Sequence, residues 1–155
     1  MRVVFLFCVL MMSSSVLSQL RLYMGNSTFS SDIAYTIEAG VVFAGDNSFS
    51  SQILYTYQDF KMYKGRSTMS FDCIYSIKDN KVYRGDSAFS SNIIYTISED
   101  KVYRGNSTFS TDCLFTLEEN KIYQGDSSFS SDCILTIEGE NIYSLAFYAC
   151  IIGPY

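Results

Sequence analysis

Lys101-Val-Tyr-Arg-Gly-Asn-Ser-Thr-Phe-Ser-Thr-Asp-Cys-Leu-Phe-Thr-Leu-Glu-Glu-Asn120 is one copy of a twenty-residue unit that fills most of the chain. The copies keep their phase without an insertion. Gly25, Gly45, Gly65, Gly85, Gly105 and Gly125 hold one repeat position, and Ser30, Ser50, Ser70, Ser90, Ser110 and Ser130 hold another. A fixed period of this size marks a solenoid or another stacked-repeat architecture. Two runs rich in β-branched and aromatic residues, Lys101 to Gly105 and Cys113 to Leu117, flank the polar segment Asn106 to Asp112. Both runs read as strands, and Glu119-Asn120 reads as a turn. The repeats lack apolar recurrence at 3.6 residues, so the chain reads as all-β.

Six copies run to Asn141 and a seventh starts at Ile142-Tyr143-Ser144, so residues 19–144 form six and a half β-repeats. Alternation assigns the faces. Ile33, Tyr35 and Ile37, with equivalents such as Cys113, Phe115 and Leu117, are always apolar and are expected to point inward, leaving Ala34 and Thr36 outward. The Val82 row and the row Phe29, Phe49, Met69, Phe89, Phe109 and Phe129 are expected to complete the core. At about 1.5–3 kcal/mol per buried large side chain, six copies can sustain a core that no single copy could.

Two architectures fit. In a β-solenoid each copy is one coil, and like residues stack in ladders about 4.8 Å apart. In stacked β-hairpin repeats each copy is an antiparallel pair, and copies add sideways at twice that spacing. The fixed phase of Phe and Ser, and a middle segment long for a simple turn, favour the solenoid, which is the first expectation. The Lys61, Lys81, Lys101 and Lys121 row argues for hairpins, because a solenoid would stack these like charges. The Tyr-x-Gly that follows a Tyr-Thr run, Tyr95 to Gly105, resembles MORN-type hairpin repeats, although these copies are shorter and lack that family's second glycine set.

The flanks differ. Residues 1–18, with Arg2, an apolar stretch from Val3 to Met12 and small polar residues up to Ser18, read as a secretory signal peptide. Its removal takes the formal net charge from −5 to −6, which speaks against nucleic acid as a partner. Residues 145–155 abandon the repeat and are apolar. They read as a cap over the last coil or a contact segment, too short for a membrane span. With the open ends of a solenoid, they make end-to-end self-association an expectation. Cys73, Cys113 and Cys133 alternate with Ile at one repeat position and are expected to be free thiols.

The sequence has no His, and six near-identical copies spread any role along a line, whereas catalysis needs one asymmetric constellation. The chain therefore reads as no enzyme, with no cofactor and no metal. Asp32, Asp72, Asp112 and Asp132 could line a calcium row, but Gln52 and Asn92 at the same position point to turn capping instead. With the Phe29 row inward, a hydroxyl lattice should face outward: Thr28 with Ser30, Ser48 with Ser50, Thr68 with Ser70, Ser90, Thr108 with Ser110, and Ser128 with Ser130. It resembles the Thr-x-Thr arrays of insect-type antifreeze solenoids, departing where Ser or Ala replaces Thr, and that resemblance implies ice binding. Thr36 and its equivalents form a second outward row. Tyr63, Tyr83, Tyr103 and Tyr123 form an outward aromatic row suited to sugar rings or partner surfaces. Asn26-Ser-Thr28 and Asn106-Ser-Thr108 are glycosylation sequons. The functional expectation is a secreted, non-catalytic protein with a regular surface for adhesion, structure, or protein or glycan binding. The alternative is ice binding.

Overall fold

The computed structural model describes residues 19–153; the signal-peptide reading of residues 1–18 lies outside them. Twelve strands form a closed antiparallel barrel: β1 (Leu20–Met24), β2 (Ile33–Glu38), β3 (Val41–Ala44), β4 (Ile53–Gln58), β5 (Lys61–Lys64), β6 (Cys73–Lys78), β7 (Lys81–Arg84), β8 (Ile93–Ser98), β9 (Lys101–Arg104), β10 (Cys113–Glu118), β11 (Lys121–Gln124) and β12 (Cys133–Glu138). Every strand pairs with its sequence neighbours, and β1 pairs with both β2 and β12. The solenoid is thus corrected to hairpin repeats, which close into a ring.

Local chemistry explains the choice. Turns such as Asp79-Asn80 hold both residues at positive φ, 50° and 57°. Two such residues twist a hairpin in the sense its strands require, so the chain doubles back where a coil would have turned onward. The register Lys78↔Lys81, Ile77↔Val82, Ser76↔Tyr83 and Tyr75↔Arg84 follows. Five hairpins carry a covalent tight turn. The sixth is β12 against β1, in register Arg21↔Glu138 to Met24↔Leu135, with no turn between them.

Each longer connection carries a β-bulge. Leu22 faces Tyr35 while Tyr23 faces Ile33, so residue 34 is extra; the same slip recurs at Val82/Tyr83 and Ile122/Tyr123. The inserted residue breaks the alternation used for facing. Tyr35 and Ile37 point inward as expected, with the Val82 row. Ile33, Cys113 and Cys133 instead share the outer face with the Tyr23 row, and Ala34, Ile94 and Ile134 turn toward the core.

The lumen is filled by a helix, α1 (Leu145–Ile152), which the absence of 3.6-residue periodicity in the repeats did not announce. It is apolar all round, as suits a helix enclosed on every side, and Leu145 through Ile151 are buried. Its start lies by the tight turns, where Ser144 to Ala146 line a cavity together with Phe60, Asp79 and Asn80. Its far end, Ile152, lines a cavity with Met24, Tyr35 and Ile134 at the opposite mouth. Tyr143 stacks on Phe147 at 4.2 Å, and Tyr57 packs edge-on to Phe147 at 4.9 Å. The Tyr148 hydroxyl donates to Asn141 Oδ1 at 2.6 Å, and Gly40 N–H donates to the Tyr143 hydroxyl at 3.1 Å. The apolar C-terminal segment is therefore a plug inside the barrel. With the ring closed, the open ends on which end-to-end association was to rest are absent.

Candidate functional site: six aromatic petal tips

Each long connection begins at the repeat glycine. Gly45 sits at φ 71°, its N–H donates to Ala34 O at 2.8 Å, and its carbonyl accepts from the Thr36 hydroxyl at 2.7 Å. The same link joins Thr56 to Gly65, Thr96 to Gly105, Thr116 to Gly125 and, across the seam, Thr136 to Gly25. A left-handed residue at this point throws the chain outward. It then lies back over the hairpin before it, where Ser76 Oγ donates to Ser87 O at 2.8 Å. Six such petals cover the outer wall.

Salt bridges fasten the petals at alternate positions: Arg21 to Asp46 at 3.4 Å, Lys61 to Asp86 at 2.7 Å and Lys101 to Asp126 at 2.9 Å. The hydrogen bond that Lys61 donates to the Asp86 carboxylate raises the Lys61 pKa above its ordinary value, and the one that Lys101 donates to Asp126 does the same for Lys101. Both lysines lie at the half-buried rim of the wall, where solvent still screens the pairs and leaves them a small contribution to stability.

Covered in this way, the outward rows are not free surface. Tyr63, Tyr83, Tyr103 and Tyr123 do point away from the lumen, but they are buried beneath the petals, as are Thr36, Ser76, Thr96, Thr116 and Thr136. The tyrosine row is thus corrected from a binding face to the packing layer between wall and petals. The cysteines of that layer are free thiols. Cys73 donates to Tyr75 O at 3.3 Å, and burial raises its thiol pKa.

The petal returns to the wall through a short 3-10 turn such as Ser110–Asp112. A serine staples it: Ser107 Oγ donates to Asp112 Oδ2 at 2.5 Å and accepts from Phe109 N–H at 3.2 Å. Ser27 with Asp32 and Ser127 with Asp132 repeat the pattern, and Asn92 substitutes by donating to Ser87. Asp32, Asp112 and Asp132 therefore each cap their own loop. No three His, Cys, Asp or Glu side chains converge among the described residues.

The staple holds the chain extended at the residue before the turn, and that side chain points into solvent. Phe29, Phe49, Phe89, Phe109 and Phe129 are 70–75% exposed and Met69 is 61% exposed. This row is corrected from core to petal tip. In the third copy, where Met69 replaces Phe, Phe71 two residues on is 78% exposed. Every tip consequently displays an aromatic ring. The predicted hydroxyls surround it: Thr28 and Ser30, Ser48 and Ser50, Thr68 and Ser70, Ser90, Thr108 and Ser110, and Ser128 and Ser130 are all exposed. They sit on six separate loops around a closed wall, so the flat two-column lattice is corrected to a ring. Asn26 and Asn106 are exposed on the same petals. No charged residue stands among the four tip residues, as in Thr108-Phe-Ser-Thr111.

Sequence reasoning missed the aromatic tips because it counted apolar residues toward the core. The signal was present: Phe109 is the lone apolar residue between Gly105 and Cys113, and an isolated apolar residue in a polar segment carries no strand alternation.

A closed antiparallel barrel of six hairpins with six petals and a helical plug defines a β-flower architecture. The chain belongs to the family described as 6-fold beta flower protein, whose model matches residues 22–148. No curated protein and no solved structure matches it.

Proposed function

We propose that this is a secreted, non-catalytic barrel that binds a partner or glycan through its aromatic petal tips. The observation that carries the reading is the aromatic ring at every tip, including the copy where the ring moves from position 69 to Phe71. Exposed apolar residues in a regular set mark interaction surfaces, and weak contacts at neighbouring tips gain by multivalency. An aromatic face flanked by hydroxyls and free of charge suits a neutral sugar ring, so neutral glycans with repeating units are favoured. Catalysis, cofactor and metal have no part in this reading.

The test is binding of the protein to an immobilised panel of neutral and charged glycans and to phosphatidylcholine vesicles. Retention on neutral glycans is expected, with Phe89→Ser weakening it several-fold and Phe89→Ser/Phe109→Ser about tenfold or more. Vesicle binding without glycan binding would make the tips lipid contacts and overturn the reading. Ice shaping is not expected from hydroxyls on a curved ring.

A further inference from the structure

We propose that Asn26 and Asn106 carry N-linked glycans that flank one petal and leave the opposite side of the ring clear. The petal-fastening pattern singles them out. At their repeat position Asp46, Asp86 and Asp126 each engage a basic residue twenty-five positions earlier. Asn106 stands where such an acid would meet Lys81, and across the seam Asn26 stands where one would meet Lys121. Both petals give up the carboxylate while the lysine opposite is retained. Neither amide forms a side-chain hydrogen bond to another described residue, and both are exposed with the sequon hydroxyls Thr28 and Thr108 exposed two residues on. Nδ2 is thus open to solvent at both sites.

The modification is a group transfer from a lipid-diphosphate-linked oligosaccharide. Nδ2 attacks C1 of the first sugar, the C1–O bond to the diphosphate breaks, the lipid diphosphate leaves, and Nδ2 loses one proton. The inference rests on the export reading, because only an exported chain meets that donor. Strand order fixes the consequence. The Asn26 petal joins β1 to β2, and the Asn106 petal joins β9 to β10. The petal bearing Phe129, between β11 and β12, lies between them; the petals bearing Phe49, Phe71 and Phe89 lie on the far side.

The experiment expresses the full chain in a eukaryotic secretory host, alone and behind a heterologous leader, and measures intact mass before and after an amidase that releases N-glycans. Two glycan masses are expected, with one lost in Asn26→Gln, one in Asn106→Gln and both in the double variant. Two glycans only behind the heterologous leader would keep the sites and sink the export reading alone. A bare mass behind that leader overturns the proposal. Oxidative footprinting should show Phe129 shielded relative to Phe71 until the glycans are removed; equal oxidation throughout contradicts the placement.

Discussion

The Thr–Gly link is the residue-scale device on which the petals depend. Thr116 is buried, and its hydroxyl satisfies the Gly125 carbonyl at 2.7 Å. Thr116→Val keeps the shape and strands that carbonyl, so urea unfolding should show a loss of about 1–3 kcal/mol. An unchanged midpoint would mean that water replaces the hydroxyl freely. Much at this scale was legible in the sequence. Asn26 and Asn106 were found by motif, whereas Gly105, read as the end of a strand run, sits at φ 60° and opens the petal. Facing was harder to read, because the bulge at residue 34 and its equivalents reverses the Ile33 row without leaving a trace in residue type.

At the scale of the element, the plug dominates. Phe147 is fully buried between Tyr143, Tyr57 and Tyr148. Phe147→Ala should cost about 3–5 kcal/mol by thermal or urea unfolding, and a loss below 1 kcal/mol would show that the helix leaves the lumen readily. Burial raises the Cys150 thiol above its ordinary 9.0 and the Tyr148 hydroxyl above its ordinary 10.0. Both groups are held neutral in the folded barrel, and the unfolded chain ionises first. Their contribution is therefore full below about pH 9 and is lost as pH rises above it. The urea midpoint should fall between pH 8 and pH 10, and by less in Cys150→Ala; an equal fall would assign the effect elsewhere. The strands were legible from β-branched runs and turn pairs. The helix was not, since eight uniformly apolar residues have no period to detect, although Ser144 before them and Gly153-Pro154 after them punctuate a helix.

For the whole molecule, the seam is the decisive feature. β1 is the second half of a hairpin whose first half, β12, lies more than a hundred residues away. The sequence reads as six copies and a partial seventh. Closure was not legible there, because an array that begins and ends on an unpaired strand is equally natural in an open stack. Deleting residues 19–24 should expose the edges of β2 and β12 and give aggregation or dimers by light scattering. A monomeric, cooperatively folding deletion would contradict closure.

The repeated aromatic row lies outside the barrel and not in its core. Equilibrium urea unfolding of Phe109→Ser beside the parent protein tests it most directly. An exposed tip predicts a change within about 0.5 kcal/mol. A loss of about 3 kcal/mol or more, the cost of emptying a core aromatic site, would return the row to the interior and remove the surface on which the proposed function stands.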